Sequence, residues 1–113
     1  MADGIGQAGG AWVRSAFWVG TPNDASAFRK AIDDSLVPRL GALPGVAHAE
    51  ALWPVRREDG PPAIHCQVIV RYASAGDLEL MLASPERAAM RADVRALAQT
   101  FDGTISHIDY EVA

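Results

Sequence analysis

Four things are scarce in this sequence. There is one cysteine, Cys66, so no internal disulfide can form. There is one lysine, Lys30, against nine arginines, a bias we read as that of a GC-rich genome and not as chemistry. Aromatic residues make up only 7% of a chain that is 50% hydrophobic, and all three tryptophans, Trp12, Trp18 and Trp53, fall in its first half. Long apolar runs are missing too: nothing approaches the roughly 18 consecutive apolar residues that a membrane-spanning helix needs.

Each scarcity excludes something. The formal net charge of −4 argues against a surface built for nucleic-acid phosphates. The start of the chain carries Asp3, no basic stretch and no apolar core, so it does not read as a signal peptide. A cytoplasmic protein with neither nucleic-acid nor membrane partners is expected. Residues 1–10 hold four glycines and no periodic pattern, and read as a flexible tail. Residues 11–113 read as a single domain. With 21 alanines, its core has modest apolar area to bury, which self-association would remedy.

The chain alternates two periodicities. Trp12 to Val19 alternates as a strand and breaks at Gly20-Thr21-Pro22-Asn23. Asn23 or Asp24 can cap a helix whose Phe28, Ile32, Leu36 and Leu40 form one apolar face, with a kink expected at Pro38 and a stop at Pro44-Gly45. Val46 to Arg57 reads as a second strand with Pro54 near its end, and residues 58–62 read as a loop. Ile64 to Ala73 is the clearest strand. Ser74 and Asp77 fit a capping box that opens a short helix to Ala83, and Ser84-Pro85-Glu86 starts another. Met90, Val94, Leu97, Ala98 and Phe101 form its apolar stripe, with Gly103 as a left-handed cap. Thr104 to Val112 is the last strand.

The order strand, helix, strand, strand, helix, strand is the α+β, ferredoxin-like βαββαβ pattern. It implies a four-stranded antiparallel sheet with two helices on one face. The other face must meet solvent, a ligand or another sheet. The more apolar alternates, Phe17 and Val19, Cys66, Val68 and Val70, and Ile108, Tyr110 and Val112, are assigned to the helix side. Arg14, Trp18, His65, Gln67, Ile69, Arg71, Ile105, His107, Asp109 and Glu111 then share the uncovered side, with Trp12 beside them. The facing of the second strand, and with it Trp53, stays open.

Several segments carry a family likeness. Asp24-Ala25-Ser26-Ala27-Phe28, Val37-Pro38-Arg39-Leu40, Leu43-Pro44-Gly45-Val46 and Leu82-Ala83-Ser84-Pro85-Glu86, followed by Ala88-Ala89 and Ala92-Asp93, resemble the EthD-like branch of the dimeric α+β barrel proteins. The resemblance spans roughly residues 14–113. It implies a homodimer whose sheets pack face to face, with a pocket in each subunit. Relatives of this kind include catabolic proteins, monooxygenases without a conventional cofactor, lactone isomerases, dehydratases and cyclases. One departure stands out. The family usually places a histidine two residues before the helix proline, and here that position is Leu36. The asparagine, tryptophan and helix-histidine pattern of haem-degrading relatives is not present, and no cofactor is expected.

The chemical candidates follow from residue type and placement. His107 and Asp109, two apart on a strand, point the same way and could move a proton. His65 is the second candidate base. Arg14 or Arg71 could hold a substrate anion, with Gln67 beside them. Trp18 and Trp53 could stack on an aromatic ligand. His48, His65 and His107 lie on three strands without metal-ligand spacing, so no metal is expected. Cys66 reads as a small buried hydrophobe. Arg87, Arg91 and Arg95 read as a solvated helix face. The function expected is that of a dimeric pocket protein for a small, partly apolar organic molecule. Isomerisation, elimination, cyclisation or cofactor-independent oxidation are the reactions in view. A non-catalytic binding or accessory dimer and a plain dimerisation module are the alternatives.

Overall fold

A computed structural model describes residues 11–60 and 63–113. The tail expected over residues 1–10, and two residues of the 58–62 loop, lie outside the described residues. The elements run β1 (Trp12–Pro22), α1 (Ala25–Ala31), a π-helical turn (Ile32–Leu36), α2 (Val37–Gly41), β2 (His48–Leu52), β3 (Ile64–Tyr72), α3 (Ala75–Ala83), α4 (Pro85–Ala98) and β4 (Phe101–Glu111). The four strands form one sheet in the order β2-β3-β1-β4, every neighbouring pair antiparallel. This is the ferredoxin-like α+β arrangement.

Local chemistry accounts for the helices. The Asp24 carboxylate accepts from the Ala27 amide, 3.0 Å, and opens α1. Pro38 has no amide hydrogen, so a regular α-ladder cannot pass through it. The backbone answers with one wider turn just before it, in which the Val37 amide bonds back to the Ile32 carbonyl. Ser74 Oγ accepts from the Asp77 amide and Ser84 Oγ from the Arg87 amide, both at 3.1 Å, starting α3 and α4. Pro85 sits in the first turn of α4, where a missing amide costs nothing.

Three boundaries differ from the sequence-based expectation, the first being that β1 does not break at Gly20 but runs on to Pro22. Phe101, Asp102 and Gly103 belong to β4 and not to the preceding helix. They extend the pairing with β1 out to Pro22, and cross-strand bonding outweighs the helical stripe. Gly103 therefore serves the strand, with φ at 157°, opposite Gly20 with φ at 135°. A Cβ at Gly20 would strike the Asp102 carbonyl, so both positions need glycine. The second strand is also shorter than expected, His48–Leu52.

The larger correction concerns the sheet faces. In the β1–β3 register Trp18 pairs with Cys66, Ala16 with Val68 and Arg14 with Val70. In the β1–β4 register Trp18 pairs with Ile105, Ala16 with His107 and Arg14 with Asp109. Directly opposed residues share a face. Cys66, Val68 and Val70 do face the helices, as expected, and they bring Trp12, Trp18, Arg14, Ile105, His107, Asp109 and Glu111 with them. Phe17, Val19, Ile108, Tyr110 and Val112 lie on the uncovered side instead. A single-residue shift in assigning a strand reverses all its side chains. A bulge between Trp18 and Val19 adds His65 to β3 and turns it, like Cys66, toward the core.

The core lies between sheet and helices in two joined clusters. In one, Trp18 (1% exposed) meets Phe28 edge-on at 5.1 Å and Phe101 at 5.3 Å, over Ile32, Cys66 and Val68. In the other, Tyr72, Val70, Leu78, Met81 and Met90 pack beneath Leu43. The molecule is only 19 Å along its short axis, the thickness of one sheet and one helical layer.

Candidate functional site

A cavity of about 290 Å³ opens between the sheet and the helices, at the junction of the two core clusters. Its sheet side is small and apolar: Ala16, Trp18, Val68, Val70 and Ile105. Leu36 and Leu40 come from the kinked first helical segment, and Met81, Met90, Val94 and Ala98 from the second. The wider turn before Pro38 is what places Leu36 on the cavity wall.

Polar groups enter from two directions. Arg14 and His107 rise from the central and edge strands. Arg87, Arg91 and Arg95 line it from α4, one turn apart. Arg91 and Arg95 are exposed, in keeping with a solvated helix face, whereas Arg87 is half-buried. Their neighbour Asp93 points elsewhere, to Arg39 at 2.8 Å, and so ties α4 to α2. Among the described residues the lining holds four arginines, one histidine and no carboxylate. A long arginine can run its methylenes along an apolar wall and set its guanidinium at the rim. The i,i+4 spacing of three arginines beside an apolar stripe was the available signal.

Asp109 answers Arg14. One guanidinium nitrogen of Arg14 donates to both carboxylate oxygens, at 3.0 and 3.1 Å, and the pair is part-shielded from solvent. Asp109 lies on the same side as His107 but shares no hydrogen bond with it among the described residues. Loss of solvent, then the Arg14 and Arg87 charges, lower the pKa of His107, and Asp109 opposes them. These influences favour the neutral imidazole, the form that can accept a proton. Beside this corner Tyr72 is 1% exposed, and its hydroxyl has no hydrogen-bond partner among the described residues. Burial raises the Tyr72 pKa to about 12, with Arg14 and Arg87 acting against that and Asp109 with it.

The other sequence candidates lie elsewhere. His65 stacks edge-on with Phe28 and Trp53, at 5.6 and 5.9 Å, beside a separate recess lined with Gly20, Arg57 and Ala63. Burial and the Arg57 charge lower its pKa. Trp53 donates its indole N–H to Asp33, 3.1 Å, with the Arg29 guanidinium over its ring at 4.6 Å. Gln67 accepts from Ser15 Oγ at 3.2 Å on the uncovered face, where Arg71 stands opposite His48. Trp18 alone of the two proposed stacking residues borders the cavity. Burial, followed by the Asp33 charge, pushes the Cys66 thiol up to about 12, so it is no nucleophile near neutral pH. No group of three metal-ligating side chains occurs among the described residues, and no helix there is long and apolar enough to cross a membrane.

Solved structures share this architecture. An EthD family protein from Bacillus halodurans superposes with a TM-score of 0.72 at 16% identity, covering 91% of this chain and 98% of its own. The chain has the fold of the EthD proteins and their ferredoxin-like relatives. An EthD-like protein from Ralstonia eutropha gives 0.61 at 15% identity, over 90% of this chain and 91% of that one. A cofactor-independent oxygenase from Streptomyces nogalater gives 0.56 at 17%, over 88% and 89%. No protein-family model matches the sequence, and comparison with curated proteins finds no significant match. At these identities the EthD-type likeness speaks for the fold, and function must come from the site.

Proposed function

We propose that the chain binds a small, partly apolar organic molecule in the cavity between sheet and helices and transfers a proton through His107. The observation that carries this is a 290 Å³, largely apolar cavity with His107 and Arg14 on one wall. His107 would take a proton from a C–H or O–H of the ligand, and Arg14 would hold the anion that forms. Proton transfer of this kind serves isomerisation or elimination. The structural neighbours, an EthD family protein and a protein described as a cofactor-independent oxygenase among them, are compatible with that class of ligand.

A direct test uses a nitrobenzisoxazole. A base removes its ring C–H proton, the N–O bond breaks, and a coloured cyanophenolate forms, so the probe reads a positioned base next to a cation. Saturable turnover is expected in the wild type and its loss in His107→Gln. Equal rates in the two proteins would remove the catalytic role. A non-catalytic binding protein is the second reading, and one observation favours it: Leu36 lines the cavity at the position where the EthD resemblance implies a histidine.

Self-association belongs to the same proposal. Ile108 (47% exposed), Tyr110, Val112 and Leu52 place large apolar side chains on the uncovered sheet face. Packing that face against a second copy would bury them and thicken a thin molecule.

A further inference from the structure

We propose that the ligand of this cavity is an organic anion, its charged oxygen received at the corner where Arg14 and Arg87 converge beside Tyr72. This rests on the cavity being the binding site and names the class of molecule it takes. Three observations carry it. First, the chain as a whole is acidic, at −4, yet this cavity is lined by four arginines and no carboxylate among the described residues. A low-dielectric cleft of one sign gathers ions of the other. Second, the one carboxylate at this corner, Asp109, is engaged by Arg14 alone, so Arg87 and the rim arginines are not neutralised by it. Third, the Tyr72 hydroxyl is buried without a hydrogen-bond partner among the described residues, and Tyr72, though not itself a lining residue, packs directly behind Val70, Met81 and Met90 of the cavity wall. A buried donor is costly to leave unmade, and a ligand oxygen would satisfy it. The apolar remainder of the ligand would lie on Leu40, Val94 and Ile105.

The probes are 1-naphthoate and its neutral isostere 1-naphthamide, titrated calorimetrically into the wild type. The naphthoate is expected to bind about tenfold or more tightly than the amide, the scale of one charge-assisted contact. Arg87→Met should cut that preference to below about threefold while leaving amide binding nearly unchanged. Tyr72→Phe, which keeps the ring, should weaken naphthoate by about three- to tenfold. Arg56→Met, on the exposed β2–β3 loop, should leave the preference intact. Equal binding of the two probes would overturn the anion assignment while leaving the cavity as a binding site. Binding of neither up to about 10 mM, well beyond a weak-site affinity, would overturn both.

Discussion

Along β4, Ile105, His107 and Asp109 turn toward the helices, while Ile108 and Tyr110 turn away from them. The contrast continues across the sheet. The helix side carries the three tryptophans, small residues, an ion pair and a cavity. The uncovered side carries bulky apolar groups that water would otherwise meet. A strand at a sheet edge can thus place its titratable residues inward and its greasy ones outward, provided that something covers each. What covers the first side is the cavity and its arginines. What we propose for the second is another copy of the chain.

Neighbouring residues on the two sides should respond differently. Trp18→Ala removes a fully buried indole and should cost about 3–5 kcal/mol of folding stability in a urea titration. Phe17→Ala, one residue away on the other side, should cost less in folding and act mainly on self-association. If both lowered stability equally, the contrast between the sides would disappear. Next in size, Ile108→Arg should weaken self-association by about a hundredfold or more, roughly 3 kcal/mol, with an unchanged circular dichroism spectrum. Sedimentation velocity at micromolar concentration reads this. A wild type that sediments as a monomer would remove the partner from the account.

The smaller effects lie within the cavity. Asp109→Asn takes away the charge that raises the His107 pKa, so that pKa should fall further, as read by NMR titration of the imidazole. The same variant should strengthen naphthoate binding by about two- to fivefold, because Arg14 loses its competing partner. The smallest effect is on stability against pH. His107 and His65 have lowered pKa values in the fold, so below about pH 6.5 the unfolded chain takes up their protons more readily. Their contribution to stability is therefore lost as the pH falls through that region and levels off once the folded forms are protonated too. Glutamine at either position should flatten its share of that slope.

Much of this fold was legible in the sequence, because period, caps and breakers agree. Asp24, Ser74 and Ser84 cap where expected, and Pro38 disturbs its helix where expected. The sheet's facing was not legible, for a physical reason. Alternation separates two sides of a strand but does not say which side the helices take, and here each side of β1 and β4 holds apolar residues. Phe17 and Val19 are no less apolar than Ala16 and Trp18. Only β3, with Cys66, Val68, Val70 and Tyr72, pointed clearly inward, and its register with β1 decides the rest. His65 escaped because a bulge breaks the alternation. The place of the α4 arginines at the cavity escaped because arginine on a helix usually means solvent. His107 and Asp109 were placed together by their spacing, although the Asp109 carboxylate holds Arg14 and not the histidine.

The most direct test is a methyl NMR titration of the wild type with 1-naphthoate. The account predicts that methyl signals of Val68, Val70, Val94, Ile105, Met81 and Met90 move, while those of Ile69, Ile108 and Val112 stay in place. Movement confined to Ile69, Ile108 and Val112 would put the ligand on the uncovered face and contradict the account.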